Sequence, residues 1–354
     1  PPPTSTPPRN RRQRQMCIRD RIEKVAKRYA NQHQCILNDT GDGWYRIAPS
    51  RCPQNYGYNG IKLKVPAAGT KVVLTFKGLA GAEAVPIRTQ QLAEDLYILF
   101  FESGGNLLVS IGEQGVLIVD DQFQNRVPAY QARIRELGGG DIDVVLNTHW
   151  HADHAEGNRV LGASGSWIVS HINSREILRQ ERIVNTVQRQ TTYEPWEEAA
   201  LPVATFDDTM QVHFNAERID LMHFGRAHTT GDAAVILRNH NVVHLGDVFN
   251  TSSYPFSDAD NGGHVDGVIQ FCEAVLMQID EDTVVVPGHG EAGTYADLRD
   301  YVDMVRTVRD RIADLVDDGA SLDEVVAANP TADWDDELTN SIRFIDRVYA
   351  NLTR

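Results

Sequence analysis

The sequence has few cysteines, and none of them lies close to another. Four occur among 354 residues: Cys17, Cys35, Cys52 and Cys272. Because no CxxC pair exists, a zinc site built from cysteines is not expected. Cys35 and Cys52 leave two alternatives open, a disulfide bond in an oxidising compartment or two free buried thiols. The cysteines therefore predict neither a metal site nor a compartment.

The sequence also lacks long apolar runs and an excess of positive charge. No stretch approaches the roughly 18 apolar residues of a membrane helix, and the N-terminus has no apolar run typical of a secretory signal peptide. Asp and Glu number 49 against 34 Lys and Arg, for a formal net charge of -15. Such a field repels polyanions. We therefore expect a small-molecule substrate and neither a nucleic-acid nor a membrane partner, while localisation and oligomeric state stay open.

The first 86 residues differ in composition from the rest. Residues 1–20 are proline-rich and then basic, without a structural period, and are predicted to be a disordered or artefactual tail. Residues 21–86 are predicted to be a β-rich segment. Within it, residues 61–65 (IKLKV) and 71–76 (KVVLTF) alternate apolar and polar side chains around a turn, which is typical of a hairpin in a partial β-sandwich. This segment has no clustered His, Asp or Glu, and a non-enzymatic binding role of residues 36–80 is an alternative function.

From residue 87 to residue 295, short apolar strands alternate with helical segments. Residues 142–147 (IDVVLN) are almost continuously apolar, as in strands that are buried on both faces. Two mixed sheets covered by outer helices accommodate so many short strands. Residues 296–354 are predicted to be a helical extension that packs on this domain. Its signals are an apolar stripe from Leu298 to Leu315, a capping box at Ser321 and Glu324, and a last helix over residues 335–352.

The sharpest local signal is the run THWHADH at residues 148–154, directly after the apolar strand. It places His149, His151, Asp153 and His154 within six residues. Packed together, these side chains would repel one another when protonated, or leave polar atoms unsatisfied when buried. A metal ion resolves both problems, because neutral imidazole and carboxylate are its usual ligands. His149 and His151 point to the same side of an extended strand end, while Asp153 and His154 can face a second ion.

One such cluster supplies only part of two coordination shells, so further ligands must come from elsewhere. Three candidates lie beside glycine near strand ends: His228 in AHTTGD, Asp247 in HLGD and His289 in PGHG. Glycine allows the backbone to turn sharply and brings the next side chain to the edge of a sheet. Singly, each of these residues is as easily structural. Together they indicate one metal site.

The motifs HWHADH, AHTTGD, GD and PGHG, in this order, resemble those of the metallo-β-lactamase superfamily over residues 87–295. The resemblance implies an αββα sandwich, in which two mixed sheets flanked by helices hold metal ions at one edge. The implied ligands are His149, His151 and His228 for a first zinc ion, and Asp153, His154 and His289 for a second. Asp247 is implied to bridge the two ions, and Asp232 to orient a ligand histidine.

The implied activity is hydrolysis at two zinc ions, with iron or manganese as alternative metals. A hydroxide that bridges the ions, oriented by Asp153, would attack an ester, thioester, lactone or amide. Efficient β-lactam hydrolysis is not expected, because the well-known lactamases carry Cys in place of Asp247 and a Lys shortly after it, whereas VFN follows here. An iron-dependent oxidoreductase similar to persulfide dioxygenases is the alternative, and the net charge disfavours a nuclease.

Residues near these motifs are candidates for the wall of a substrate pocket. Those predicted to line it are Trp150, Tyr254, Phe256 and His264. The residues predicted to be structural or exposed are His171, His213, His223, His240, His244 and Trp196. Ser166, Ser170 and Cys272 lie in or beside separate elements, so no side-chain nucleophile is predicted and water is expected to attack directly.

Overall fold

The computed structural model describes residues 86–354 and three strands that precede them. These strands are β1 (Cys35–Asp39), β2 (Trp44–Pro49) and β3 (Lys62–Lys64), and they form an antiparallel sheet in the order β1-β2-β3. Strand β3 lies within the strand predicted at residues 61–65. Strands β1 and β2 have no clean alternation of apolar and polar residues that would predict them. The tail at 1–20, the strand predicted at 71–76 and the pairing of Cys35 with Cys52 lie outside the described residues.

Short strands and helices alternate through the rest of the described chain. The strands are β4 (Ile87–Ala93), β5 (Leu96–Phe101), β6 (Leu107–Gly112), β7 (Gly115–Val119), β8 (Ile142–Leu146), β9 (Trp167–His171), β10 (Arg182–Asn185), β11 (Gln190–Tyr193), β12 (Ala204–Phe206), β13 (Thr209–Phe214), β14 (Glu217–Met222), β15 (Ala234–Leu237), β16 (Val242–His244), β17 (Val284–Val286) and β18 (Gly293–Thr294). The α-helices are α1 (Val127–Glu136), α2 (Ala152–Ala155), α3 (Asn158–Ser164), α4 (Ile172–Leu178), α5 (Val265–Leu276), α6 (Tyr295–Asp317), α7 (Leu322–Ala328) and α8 (Ser341–Thr353).

Two large mixed sheets are built from these strands. The first has the order β12-β9-β8-β7-β6-β5-β4, antiparallel from β4 to β7 and parallel from β7 to β12. The second has the order β13-β14-β15-β16-β17-β18, in which only β16 and β17 are parallel. Parallel neighbours need long crossover connections. Helices α1 to α4 supply them in the first sheet, and α5 lies between β16 and β17. Strands β10 and β11 form a separate hairpin.

Alternating side chains fill a core on both faces of the first sheet. In β5, Leu96 and Ile98 pack in one cluster with Leu221 of the second sheet, whereas Leu99 packs in another cluster with Tyr130 of α1. Residues of the second sheet pack on its outer side against α5, α6 and α8. Each fully buried Leu or Ile side chain stabilises the fold by roughly 1.5–3 kcal/mol. Two mixed sheets between helical layers confirm the predicted αββα sandwich.

The C-terminal helices follow the predicted stripe but differ in one boundary. Helix α6 buries the stripe from Leu298 to Ile312, and the capping box of Ser321 and Glu324 begins α7. The last helix begins at Ser341 and not near residue 335. The reason is that Asn340 has a left-handed backbone with φ of 69°, which a right-handed helix cannot contain. No helix among the described residues is long and apolar enough to cross a membrane.

Candidate metal centre

The run that follows β8 brings four candidate ligands to one edge of the first sheet. Strand β8 ends at Leu146, and His151 is the extended residue before α2, which carries Asp153 and His154 in its single turn. His149 lies between the strand and that turn and is buried. The chain thus changes from strand to helix within six residues. This change lets neighbouring side chains face two different centres.

Three histidines converge at one of these centres. The Nε2 atom of His228 lies 3.2 Å from Nε2 of His149 and 2.8 Å from Nδ1 of His151. His149 and His151 come from the run after β8, and His228 comes from the loop between β14 and β15. All three side chains are buried. We name these three residues the inner cluster.

A second group lies beside the first and is more open. The Nε2 atom of His154 lies 3.3 Å from Nε2 of His289 and 3.8 Å from Oδ2 of Asp153. The Nε2 atom of His289 lies 3.4 Å from Oδ2 of Asp153. His289 follows β17. His154 is buried, but the side chains of Asp153 and His289 are 27% and 25% exposed. We name Asp153, His154 and His289 the outer cluster.

Asp247 lies between the two clusters, just after β16. Its Oδ1 atom lies 3.0 Å from Nε2 of His154 and 3.2 Å from Nε2 of His289. Its Oδ2 atom lies 3.7 Å from Nε2 of His228. One carboxylate oxygen therefore faces each cluster, which is the arrangement that a bridging ligand requires.

Two glycines, Gly246 and Gly288, lie where a side chain would collide with the site. Gly246 has φ of 51°, in the left-handed region, and a Cβ atom there would lie 2.3 Å from Oγ1 of Thr148. A Cβ atom on Gly288 would lie 2.0 Å from Oδ1 of Asp247 itself. A larger residue at either position would therefore displace the carboxylate or the run that carries His149.

Buried acceptors hold the rings of the inner cluster. The Nε2 atom of His151 lies 3.0 Å from Oδ2 of Asp258, and Nδ1 of His228 donates to the backbone carbonyl of Phe256. Each contact uses the ring nitrogen that points away from the cluster, so it leaves the other nitrogen with a lone pair for a metal. Asp258 is buried. The sequence does not predict this role, because Asp258 lies in an irregular loop far along the chain from His151.

Asp120 supports the outer cluster in the same way. Its Oδ2 atom lies 2.7 Å from Nδ1 of His154, and its two oxygens accept hydrogen bonds from N and Oγ1 of Thr148 at 2.7 and 2.8 Å. Asp120 is fully buried and has φ of 61°, an uncommon conformation that tends to mark functional sites. Sequence reasoning missed this residue, although a signal was present. It directly follows the apolar strand β7, as Asp247 follows β16.

Burial favours the neutral form of two of the inner histidines, His149 and His228. Burial and the neighbouring His154 and His228 hold the pKa of His149 well below its ordinary value. Burial and His151 likewise lower the pKa of His228. Neutral imidazole is the form that binds metal, so these two rings need to lose no proton before they do so.

The outer cluster has the opposite electrostatic balance. Burial lowers the pKa of His289, but Asp247 and Asp153 outweigh it and raise that pKa to about 10. The pKa of His154 is raised well above its ordinary value, since the carboxylates of Asp247, Asp153 and Asp120 again overcome burial. The carboxylates therefore demand positive charge at this position, from protons or from a cation.

The donor atoms fit a pair of divalent cations. Three groups of ligand atoms each lie within 4.8 Å of one another: His149, His151 and His228; His149, His154 and Asp247; and Asp153, His154 and His289. Imidazole nitrogens that face one another at about 3 Å require a cation or protons between them. These groups could therefore hold metal ions. Imidazole and carboxylate ligands suit zinc, iron and manganese alike, so the geometry does not select the element.

Two of the four predicted pocket-wall residues are buried in packing contacts instead. Trp150 is 1% exposed and packs with Leu178 and Trp196. Tyr254 is fully buried; its hydroxyl lies 3.0 Å from both the Thr331 carbonyl and Oδ1 of Asp335. The prediction that Trp150 and Tyr254 line the pocket is therefore wrong, because large aromatic side chains next to the motifs serve the core.

Three further predictions have distinct outcomes. His264 ends the loop before α5, and its Nδ1 atom accepts from the Asp266 backbone, so it caps that helix, and its place in a pocket wall stays a prediction. Both oxygens of Asp232 accept hydrogen bonds from Thr229, at 2.8 and 2.7 Å. Asp232 therefore shapes the loop that carries His228 and does not contact a ligand ring. Phe256 lies beside the site, since its ring centroid lies 5.8 Å from that of His228.

The remaining histidines have structural contacts. His171 caps α4 and stacks on His223, and His240 pairs with Asp95 and Glu217. His244 is buried, and its Nδ1 atom accepts from the Gly246 backbone, while His213 contacts Gln211 at the surface. Trp196 is buried in packing, as predicted. None of these rings joins either cluster.

Two family sequence models match different parts of the chain. The sequence model of the metallo-beta-lactamase superfamily matches residues 107–289, which is more than half of the chain. The model of a family of unknown function matches residues 12–97. None of the curated proteins matches the chain.

Several solved structures share the fold. The crystal structure of the DIM-1 metallo-beta-lactamase is 20% identical, with a TM-score of 0.51, and the match covers 63% of this chain and 99% of that one. A metallo-beta-lactamase from Pontibacter korlensis is 14% identical, with a TM-score of 0.52 and coverage of 62% and 99%. A double mutant of the sec-alkyl sulfatase PisA1 is 13% identical, with a TM-score of 0.57 and coverage of 75% and 49%. At these identities the likeness concerns the fold alone.

Proposed function

This chain belongs to the metallo-β-lactamase superfamily, and from this premise we propose that it is a hydrolase that uses two zinc ions to cleave an ester, thioester, lactone or amide. The observation that carries the proposal is the position of Asp247. Its two oxygens face the inner and the outer cluster at distances of 3.0 to 3.7 Å from ring nitrogens. Two independent single-metal sites would not need a shared carboxylate.

In this proposal each side chain has one role at the metals. The inner cluster of His149, His151 and His228 holds one ion, the outer cluster of Asp153, His154 and His289 holds the other, and Asp247 binds both. When bound, the ions supply a Lewis acid for the scissile carbonyl and lower the pKa of water to near neutrality.

Asp153 has a second role, as the group that orients the attacking water. Its side chain is 27% exposed, so it faces the solvent side of the site, where a substrate arrives. Burial raises the pKa of Asp153, but His154 and His289 lower it by more, so the carboxylate stays ionised. An ionised oxygen accepts a hydrogen bond from water and holds its orientation during attack.

The positions of the other nucleophilic side chains support direct attack by water. Cys272 is buried in α5, and burial raises the pKa of its thiol well above the ordinary value. Ser166 and Ser170 are buried and donate to backbone carbonyls of Ile142 and His171. None of these three contacts either cluster. A covalent enzyme intermediate is therefore not part of the proposal.

The first experiment measures metal content and metal dependence together. Purified protein supplemented with zinc is expected to hold two equivalents, and chelation is expected to abolish hydrolysis across a panel of ester, thioester, lactone and amide substrates. Re-addition of zinc should restore it. Hydrolysis that survives complete removal of metal would disprove the proposal. Oxygen uptake by iron-loaded protein with a persulfide, without hydrolysis of any panel member, would favour the oxidoreductase alternative.

A second experiment tests the nucleophile. In a single turnover in ¹⁸O-labelled water, label is expected in the product and no added mass on the protein. A kinetically competent acyl-enzyme detected by mass spectrometry would show that a side chain attacks first, and would contradict the assignment of water.

A further inference from the structure

Helix α8 carries an arginine without a partner into the neighbourhood of the candidate metal centre. Arg343 is half-buried, and its buried Nε atom has no hydrogen-bond partner among the described residues. Burial lowers the pKa of its guanidinium, and the carboxylates that oppose this shift are those of Asp247 and Asp153. Both are proposed metal ligands, so Arg343 lies within the electrostatic reach of the centre.

Its neighbour on the same helix face shows that Arg343 is not needed to attach the helix. Arg347 lies four residues later, and residues with this spacing lie on one side of a helix. The Nη1 atom of Arg347 lies 2.8 Å from Oδ2 of Asp260, and its Nε atom lies 2.8 Å from Oδ1 of Asp346. Arg347 therefore anchors α8 through its ion pair with Asp260, whereas Asp346 lies on the same helix. An unpaired guanidinium one turn away costs desolvation energy without contributing an anchor.

The position of the Arg343 guanidinium is defined by Phe256. Its Cζ atom lies 5.3 Å from the centroid of the Phe256 ring, within the range of a cation–π contact. That ring in turn lies 5.8 Å from the ring of His228 and 6.1 Å from the ring of His151, centroid to centroid. The unpaired cation is thus held beside the inner cluster by an aromatic side chain that leaves its N–H groups free.

We propose that Arg343 is a specificity residue that binds a carboxylate group of the substrate beside the bond to be cleaved. A guanidinium presents parallel N–H donors that match a carboxylate in two hydrogen bonds. The inference rests on the proposed hydrolase function, because cations at the clusters must first neutralise Asp247 and Asp153 before an anion can approach. The substrate class is then an ester, thioester, lactone or amide that also carries a free carboxylate.

A pair of esters tests this proposal in the zinc-loaded full-length protein. Mono-(4-nitrophenyl) glutarate carries a free carboxylate, whereas 4-nitrophenyl butyrate is neutral and of similar size. Arg343→Met is expected to lower the ratio of kcat/KM for the anionic ester to kcat/KM for the neutral ester by about 10- to 100-fold, mainly through KM. Arg343→Lys keeps the charge without the planar fork, and is expected to lose part of that ratio.

The control removes an equal charge at the residue that directly follows α8. Arg354 is exposed and contacts Oδ1 of Asp260, so Arg354→Met changes the net charge as Arg343→Met does without approaching Phe256. In Arg354→Met, the ratio of kcat/KM for the anionic ester to kcat/KM for the neutral ester is expected to stay within about twofold of that of the original protein, because exposed charges contribute little. An equal loss in both variants, or an unchanged ratio in a folded Arg343→Met or Arg343→Lys protein, overturns the proposal.

A binding measurement separates this inference from the proposed function. Glutarate is titrated into zinc-loaded protein by calorimetry, and Arg343→Met is expected to weaken its Kd by about 10- to 100-fold, with thermal unfolding as the check on folding. If no member of the substrate panel is hydrolysed, the proposed hydrolysis fails, but loss of glutarate binding in the variant still supports the role of Arg343. Equal glutarate binding by both proteins overturns it.

Discussion

The inner and outer clusters use similar ligands but differ in burial and in support. The three inner histidines are at most 7% exposed, and Asp258 and the Phe256 carbonyl hold two of their rings. In the outer cluster Asp120 holds His154, whereas the His289 ring contacts only the other candidate ligands His154, Asp153 and Asp247 among the described residues. Rings that are fixed before binding lose little entropy when a metal binds. We therefore expect the inner cluster to retain its metal and the outer cluster to exchange it and meet the substrate.

The largest effect is expected where the two clusters meet. Asp247→Ala removes the one ligand that both share, so it should reduce metal content at both and lower kcat/KM by at least about 10³-fold, given several kcal/mol of transition-state stabilisation from the metals. Elemental analysis and kinetics with the best panel substrate measure this. Asp247→Cys is the matched control, because a thiolate can still bind metal. An alanine variant with two equivalents and full rate would disprove the bridge.

The next test separates the clusters from each other. His289→Ala should leave one tightly held equivalent, whereas His228→Ala should release the inner metal and leave a weakly held outer one. The expected difference follows from the lower exposure and better support of the inner cluster. Zinc release to a colorimetric chelator, followed over time, should be biphasic in the original protein and should lose only its fast phase in His289→Ala. Loss of the slow phase in that variant would reverse the order of the two clusters.

A smaller effect is expected from the support of the inner cluster. Asp258→Asn removes the charge that faces Nε2 of His151 while keeping the size of the side chain. Loss of such an outer contact weakens metal affinity by about 10- to 100-fold. Competition with a chelator of known affinity should show the change in the slowly released zinc. Asp120→Asn is the counterpart for the outer cluster and is expected to weaken the rapidly released zinc. If both variants weaken the same zinc ion, the assignment of Asp258 to the inner cluster and Asp120 to the outer cluster is wrong.

The smallest effect is expected from the anchor of the loop that carries Phe256 and Asp258. Tyr254→Phe removes the hydroxyl that contacts Thr331 and Asp335, and should lower the free energy of unfolding by about 1 kcal/mol. Metal affinity should change less than in Asp258→Asn, because the ring of Tyr254 still stacks on Phe344. Chemical denaturation and the same chelator competition measure both quantities. A drop in substrate affinity without a stability change would restore Tyr254 to the pocket wall.

The spacing of apolar residues along the sequence predicts those helices and strands that bury one face or both faces. The run at residues 142–147 is mostly apolar and contains the strand β8, and the stripe from Leu298 to Ile312 is one side of α6. The boundary of α8 was wrong because it depends on a single left-handed residue, Asn340, and not on periodicity. Strands β1 and β2 have no regular alternation and could not be predicted from it.

The sequence by itself determined which residues could bind metal, because three histidines and an aspartate within six residues have few other stable arrangements. Only the tertiary structure decided which side chains surround them. It turned Trp150 and Tyr254 into core, made His264 a helix cap, and placed Asp258 on His151 and Arg343 on Phe256. The last two contacts join residues that are about 85 to 110 positions apart. No local spacing encodes them, since they follow from how the sheets and the C-terminal helices pack.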